Sequence, residues 1–283
     1  MKLVRFGESK NEIPGLIDPE GCLRDLSDYS SDFSHEAVSL NCLEKIRNIN
    51  YSLLPKVPRS ARLGSCLADA PNFYCVGLNY AKHAKETGAE APTEPIIFSK
   101  ATSCISGPYD DVIIPKNSKK TDWEVELGVV IGEQCSHVSK EEALSVISGY
   151  CVINDVSERS FQFDRGGQWI KGKSAPTFGP IGPFLVTTDE VSDPQNLNLS
   201  LKLNGTTVQS SNTSDMIFPV SEIIAHLSQF MELRAGDIIA TGTPEGVGIG
   251  MKPPTFLKAG DNMEVEIENL GSQKQKVVNF AQT

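Results

Sequence analysis

The feature that most constrains this chain is an alternating run in its middle, Thr121-Asp-Trp-Glu-Val-Glu-Leu-Gly-Val-Val-Ile131, with two glutamates one residue apart. Such a stretch, rich in β-branched and aromatic residues, reads as a strand. A strand sends side chains two apart to the same face. Val125, Leu127, Val129 and Ile131 then make a core face, and Glu124 and Glu126 point together to the other. Neighbouring like charges on a strand repel, and each is costly to desolvate. A hard divalent cation removes both penalties, and so does a fully solvated face. On this segment alone the two readings stand level.

The rest of the chain sets that strand in context. Its 283 residues are enough for one substantial core and a smaller module. Met1–Phe6 reads as a first strand, and turn residues at Ile13-Pro-Gly-Leu16 and Asp18-Pro-Glu-Gly21 suggest a small β-rich module. Helix-like spacing of Val38, Leu43 and Ile46 in 31–51 is broken by Leu54-Pro-Lys-Val-Pro58. The expected division is therefore an N-terminal module over 1–68 and a larger domain over 69–283. In the larger part, strand-like runs fall at 73–76, 96–99, 111–114, 123–131, 149–154, 182–187, 199–204, 237–241 and 263–268. Helices are expected over 139–148, where Ser139 and Glu142 match a capping box, and over 220–231, with a stripe of Ile223, Ile224, Leu227 and Met231. Strands dominate without regular βαβ alternation, which predicts an α+β or mainly β core, not a doubly wound sheet.

Composition excludes some functions. The net charge is −10 with no basic cluster, a poor footing for nucleic acid. No apolar run approaches the roughly 20 residues of a membrane-spanning helix. The seven cysteines are scattered and form no Cys-x-x-Cys pair, so neither a disulfide framework nor a zinc ribbon is indicated. They read as reduced thiols of an intracellular, cytoplasmic protein, with mitochondrial residence left open.

Four groups of residues could carry chemistry. Gly149-Tyr-Cys-Val-Ile-Asn-Asp155 reads as a buried strand delivering Asp155 from its end, either as a third cation ligand or as a cap on the turn that follows. His83 and Glu86, three apart on a helical turn, either form a pair in which the carboxylate orients the imidazole or lie on a solvated surface. Arg159, Gln162 and Lys173 could hold a substrate carboxylate. Ile238-Ile-Ala-Thr-Gly-Thr-Pro-Glu-Gly-Val-Gly-Ile-Gly250 is neither a Walker A loop nor a dinucleotide fingerprint; it is a turn or a backbone cradle, with Thr241 and Thr243 offering hydroxyls.

In this order the pieces resemble the fumarylacetoacetate hydrolase family. The resemblance rests on Val76-Gly-Leu-Asn-Tyr-Ala-Lys-His-Ala-Lys-Glu86, Pro95-Ile-Ile-Phe-Ser-Lys100, Asp122-Trp-Glu-Val-Glu-Leu127 and Asn154-Asp-Val-Ser-x-Arg-x-x-Gln162. It continues through Gln168-Trp, Gly172-Lys, Asn212-Thr-Ser-x-Met-Ile-Phe218 and Gly236-Asp-x-Ile-x-Thr-Gly-Thr-Pro-x-Gly-Val-Gly248. The segments Gly107-Pro-Tyr-Asp110 and Lys252-Pro-Pro-Thr-Phe-Leu-Lys258 look most like the subgroup named fumarylacetoacetate hydrolase domain-containing protein 2.

The resemblance implies a mixed β-roll, a homodimer, and a Mg²⁺ or Ca²⁺ site, with Mn²⁺ also suited. It implies Glu124, Glu126 and Asp155 as metal ligands, His83, Glu86 and Lys173 as catalytic residues, and Arg159, Gln162 and Thr243 as substrate-binding residues. The implied reaction is acylpyruvate-type C–C bond hydrolysis of a small 2-oxo or 1,3-dicarbonyl acid. Oxaloacetate keto–enol tautomerisation, decarboxylation, and a catalytically silent metal- and metabolite-binding dimer are the alternatives. Two positions depart from the family pattern: Pro176, where Asp is frequent, and Ser160, where Asp commonly follows the arginine.

Overall fold

In the computed structural model, which describes residues 1–281, the chain folds as strands with few helices. In chain order it begins with β1 (Lys2–Phe6), β2 (Ile13–Ile17), β3 (Leu23–Asp25) and α1 (Leu40–Arg47). There follow β4 (Phe73–Gly77), α2 (Ala81–Glu86), β5 (Ile96–Lys100), β6 (Ile105–Ser106), β7 (Val112–Ile114), β8 (Thr121–Asp122), β9 (Val125–Ile131) and β10 (Ile147–Asn154). Next come β11 (Ser157–Glu158), α3 (Arg159–Phe163), α4 (Ile170–Lys173), β12 (Gly179–Pro180), β13 (Leu185–Thr187), β14 (Asn198–Leu203) and β15 (Thr206–Asn212). The chain closes with α5 (Val220–Phe230), β16 (Ile238–Ala240), β17 (Asn262–Ile267) and β18 (Gly271–Asn279).

A nine-stranded sheet runs β3-β2-β1-β13-β10-β9-β16-β4-β5, and a five-stranded sheet runs β15-β14-β17-β18-β7. Pairing is mixed: β16 lies parallel to β4 and antiparallel to β9. This is the α+β, mixed-sheet architecture expected. β9 sits at the centre of the large sheet and is buried along its whole length. Gly128 matters there, because a Cβ at this position would lie 2.7 Å from the Cys151 sulfur and 2.6 Å from the end of Ile153. Removing that side chain lets β10 pack directly over its neighbour.

The first 25 residues do not form a sheet apart. β1 pairs with β13, and Leu3, Leu16 and Leu26 belong to the same apolar cluster as Val129 and Ile239. The position expected to divide the chain, near 68, is thus bridged by a continuous sheet.

Two helical expectations change. Over 139–148 only Ala143–Val146 turns helically, as a single 3₁₀ segment, and Ile147 already opens β10. The capping box does form, with the Ser139 amide donating to the Glu142 carboxylate at 3.0 Å and the Glu142 amide to the Ser139 hydroxyl at 3.3 Å. What overrides the helix is the fully buried run Ile147–Asn154, which gains a ladder against β9. Within 31–51 the regular α-helix is confined to Leu40–Arg47. The expected helix over 220–231 appears as α5, with Ile223, Ile224 and Leu227 buried. Two polar strands, β15 and β18, were not anticipated.

Candidate active site

The register of β9 against β10 builds the heart of the site. Glu126 pairs with Ile153 and Val125 with Asn154, and the Asp155 amide continues the ladder to the Glu124 carbonyl at 2.9 Å. Glu124, Glu126 and Asp155 thereby reach one place, with a carboxylate oxygen from each lying within 4.8 Å of the others. All three are buried. The solvated-face reading of the glutamate pair is therefore excluded. So is the capping reading of Asp155: α3 is capped by Glu158, which accepts from the Ser160 amide.

Cations thread this cluster. The Lys173 ammonium donates to Glu124 Oε2 and Asp155 Oδ2, each at 2.6 Å, and lies 5.1 Å from the centre of the Phe98 ring. Lys100 donates to the other Asp155 oxygen and, at 3.2 Å, to the Val156 carbonyl. Burial works to raise the Glu124 carboxyl, but Lys173 and Arg159 outweigh it and hold the group well below the usual range. Burial works to lower Lys173, and Asp155 and Glu124 overturn that too, keeping it charged. Glu126 behaves oppositely. It has no ion-pair partner among the described residues; its Oε2 accepts only the Gly242 amide, at 2.7 Å. Burial, then Asp155 and Glu124, push its carboxyl well above its ordinary value of 4.5.

Three buried carboxylates, one of them driven toward protonation by the other two, are an oxygen donor set that suits a hard divalent cation. The residues present fit such an ion, and Lys173 supplies positive charge between two of them.

A cavity of about 370 Å³ opens on Glu124 and Glu126, and is lined also by His83, Glu86, Arg159, Gln162, Lys173 and Thr243. The residues the resemblance implied as ligands, catalytic groups and substrate-binding groups therefore meet at one place, with Asp155 bonded directly behind it, whereas the Thr241 hydroxyl lies outside the cavity lining and donates to the Leu127 carbonyl at 2.9 Å. His83 Nδ1 is 2.9 Å from Glu86 Oε1, which leaves Nε2 as the basic nitrogen when Nδ1 carries the proton. Glu86 is fixed in turn by the Gly246 amide, at 3.1 and 3.0 Å from its two oxygens. The glycine-rich segment is thus a cradle for side chains of the site as well as a turn. It crowds α2 closely: a Cβ at Gly250 would fall 2.8 Å from Glu86 Oε2.

Arg159 donates from Nε to Asp122 at 2.8 Å and from Nη1 to Gln162 Oε1 at 3.1 Å. Its Nη2 lies 2.6 Å from Glu124 Oε1, an ion pair whose alignment is poor for a hydrogen bond. Thr243 is largely committed, its hydroxyl donating to the Val125 carbonyl and accepting from Gln209, both at 2.9 Å. At the mouth, Leu78 takes a positive φ of 54°, held by Asn79, which bonds Phe218 on both sides and the Thr241 carbonyl. A non-glycine residue there stores strain of about 1–3 kcal/mol.

Sequence reasoning missed Lys100, Asp122 and Gln209. Asp122 is the organiser: besides Arg159 it accepts from the amides of Gly248 at 2.7 Å and Ile249 at 3.0 Å, tying the arginine to the glycine-rich segment. Its signal was its place two residues before Glu124, and that of Lys100 was a lone charge closing the run Ile96-Ile-Phe-Ser. The two departures do not enter the cavity. The Ser160 hydroxyl donates to the buried Glu158 carboxylate, and Pro176 leads into Thr177, whose hydroxyl accepts from the Ile113 amide at 2.8 Å.

Comparison with known proteins agrees with this architecture. A family model described as fumarylacetoacetate (FAA) hydrolase C-terminal matches residues 72–278. A protein of Burkholderia orbicola (strain MC0-3), named as a hydrolase, is 51% identical over 280 residues, 99% of each chain. A crystal structure described as an HpcE protein from Mycobacterium smegmatis superposes with a TM-score of 0.90 at 37% identity, covering 99% of this chain and 100% of that one. Maleylpyruvate hydrolase from Sphingobium sp. SYK-6, in complex with manganese (II) ion and pyruvate, gives 0.82 at 27% identity, covering 99% and 100%. The match of a family model to most of the chain, over the residues that build the site, places this protein in the fumarylacetoacetate hydrolase family.

Proposed function

We infer that this chain is a metal-dependent enzyme that cleaves a C–C bond of a small 2-oxo or 1,3-dicarbonyl acid by hydrolysis, in the manner of an acylpyruvate hydrolase. The observation that carries the reading is the convergence of three buried carboxylates and a His–Glu pair on one cavity. Glu124, Glu126 and Asp155 would hold the cation, Mg²⁺, Mn²⁺ or Ca²⁺. When bound, it supplies Lewis acidity toward the 2-oxo group. The manganese and pyruvate named with the Sphingobium structure support both the ion class and the acid class.

The chain's own groups divide the remaining work. Arg159 and Gln162 line the cavity beside Glu124, where they would bind the substrate carboxylate or carbonyl. His83 Nε2, oriented through Nδ1 by Glu86, takes a proton from water as the oxygen adds to the acyl carbonyl. The C–C bond then breaks, its electron pair passing to the departing enolate; the acyl group leaves as a carboxylic acid, and the His83 imidazolium returns its proton to the enolate carbon, giving the 2-oxo acid. Lys173 stays charged beside the cluster and steadies the negative charge that develops on the enolate.

A second reading uses the same groups without water. Tautomerisation of oxaloacetate, or decarboxylation, needs the enolate and the cations around it but not attack by His83-activated water. The subgroup of domain-containing protein 2 remains our closest assignment within the family, on Gly107–Asp110 and Lys252–Lys258. A homodimer and a cytoplasmic setting complete the proposal, the former checked by light scattering on the purified chain. The deciding experiment is a screen of acylpyruvates and oxaloacetate with Mg²⁺, Mn²⁺ and Ca²⁺, following enol absorbance separately from pyruvate release. Cation-dependent pyruvate release lost in His83→Ala supports hydrolysis. Enol conversion that survives His83→Ala assigns tautomerisation, and a chain inert across the panel removes both.

A further inference from the structure

The cavity is lined by two unlike sets of side chains, charged and aromatic. Beside the charged groups stands an aromatic wall: Phe98, whose ring lies 5.1 Å from the Lys173 ammonium, meets Trp169 edge to face with centroids 5.2 Å apart, and Phe163 and Trp169 meet at 6.1 Å. Leu78 and Ile249 add apolar surface to the lining. A Cβ at Gly77 would lie 2.6 Å from the Trp169 ring, so the indole rests directly on the backbone at the end of β4. The only lysine and arginine lining the cavity, among the described residues, are Lys173 and Arg159, and both are engaged by Glu124 and its neighbours. Arg165 and Lys171, nearby in sequence, lie outside it: Arg165 sits over Phe161, and Lys171 donates to the Arg165 carbonyl.

A substrate tail that reaches the aromatic wall therefore meets apolar surface and no free cation. An apolar tail gains there, whereas a terminal carboxylate would lose its water without a partner. Resting on the 2-oxo acid reading above, we propose that the site selects monocarboxylic acylpyruvates with an apolar alkyl or aryl acyl group and discriminates against acids carrying a second carboxylate at the far end. Phe163 and Trp169 are the specificity-determining residues. Phe163 is 46% exposed, so it can be replaced without opening the core.

The test uses the full chain loaded with Mn²⁺ and a series of acetyl-, butanoyl-, hexanoyl- and benzoylpyruvate, each alkyl member matched by an acid of equal length ending in carboxylate. kcat/KM is expected to rise about fourfold per methylene, the value of burying one CH₂. The matched diacids should fall about a hundredfold below their monoacid partners, the order of cost of an unpaired buried charge. Phe163→Ala should flatten the chain-length dependence, Phe163→Leu should restore most of it, and Phe163→Arg should shift the ratio toward the diacids. Binding is read independently through Trp169 fluorescence, since the chain has two tryptophans and the other, Trp123, is fully buried. Wild-type turnover of diacids equal to or better than that of matched monoacids overturns the inference and leaves the 2-oxo acid reading standing. Absence of both turnover and quenching with every 2-oxo acid overturns both.

Discussion

Glu126 and Glu124 are two residues apart and do opposite things. Glu124 is paired with Lys173 and Arg159; Glu126 accepts a backbone amide, and burial and two other carboxylates outweigh the more distant charge of Lys173. Removing Glu124 leaves Lys173 with Asp155 and Arg159 with Asp122 as their remaining carboxylates, so Glu124→Ala should lose about 1–3 kcal/mol in a urea melt as well as cation binding. Glu126→Gln should behave otherwise. In the metal-free protein the raised carboxyl binds its proton more tightly folded than unfolded. Its stabilising contribution is therefore complete below its ordinary value of 4.5 and is lost as pH climbs through the raised folded value. The variant has no such group, so in chelator it should gain on the parent as pH rises above 4.5, while losing calorimetric cation binding. The sequence placed both glutamates on one face. What it could not convey was which of them the lysine and arginine would neutralise, since those arrive from residues 159 and 173 through tertiary folding.

At the scale of elements, the link between α2 and the glycine-rich segment is where the site is set. Gly246 has a φ of 96°, and a Cβ there would lie 1.9 Å from the Val208 carbonyl of β15, so no other residue fits. Gly246→Ala should push the segment off β15, break the amide contact to Glu86, and release the imidazole from its orientation. The expected outcome is a kcat at least about tenfold lower, with cation affinity nearly unchanged because the carboxylate triad is not touched. Steady-state kinetics beside calorimetry checks this. Central strands such as β9 and β10 were legible because their apolar runs are unbroken. β18 was not, because two of its three buried positions are Gln273 and Gln275, which look like surface residues until their partners are known: the carbonyls of Val152, Pro180, Gly182 and Pro108. The capping box at Ser139 was real, and yet it opened only one turn, since the ladder to β9 outcompeted further helix.

For the whole molecule, the sheet that supports the site begins at residue 2. Residues 69–283 expressed alone would leave β13 without β1 and strip Leu3, Leu16 and Leu26 from the common core. That fragment should be aggregated or lack a cooperative melt, as judged by size-exclusion chromatography and circular dichroism. The turns near Asp18 and the break at Pro55–Pro58 are local punctuation, while the pairing of β1 with β13 spans more than half the chain. A consequence follows from the ammonium of Lys173 between Glu124 and Asp155. Because the polypeptide carries its own positive charge into the cluster, its folding does not wait for an ion, and chelation should silence it while leaving its melting transition in place. Abundance and activity are thereby separable: a cell that runs short of the cation keeps a full stock of intact, idle protein, ready to resume work as soon as supply returns.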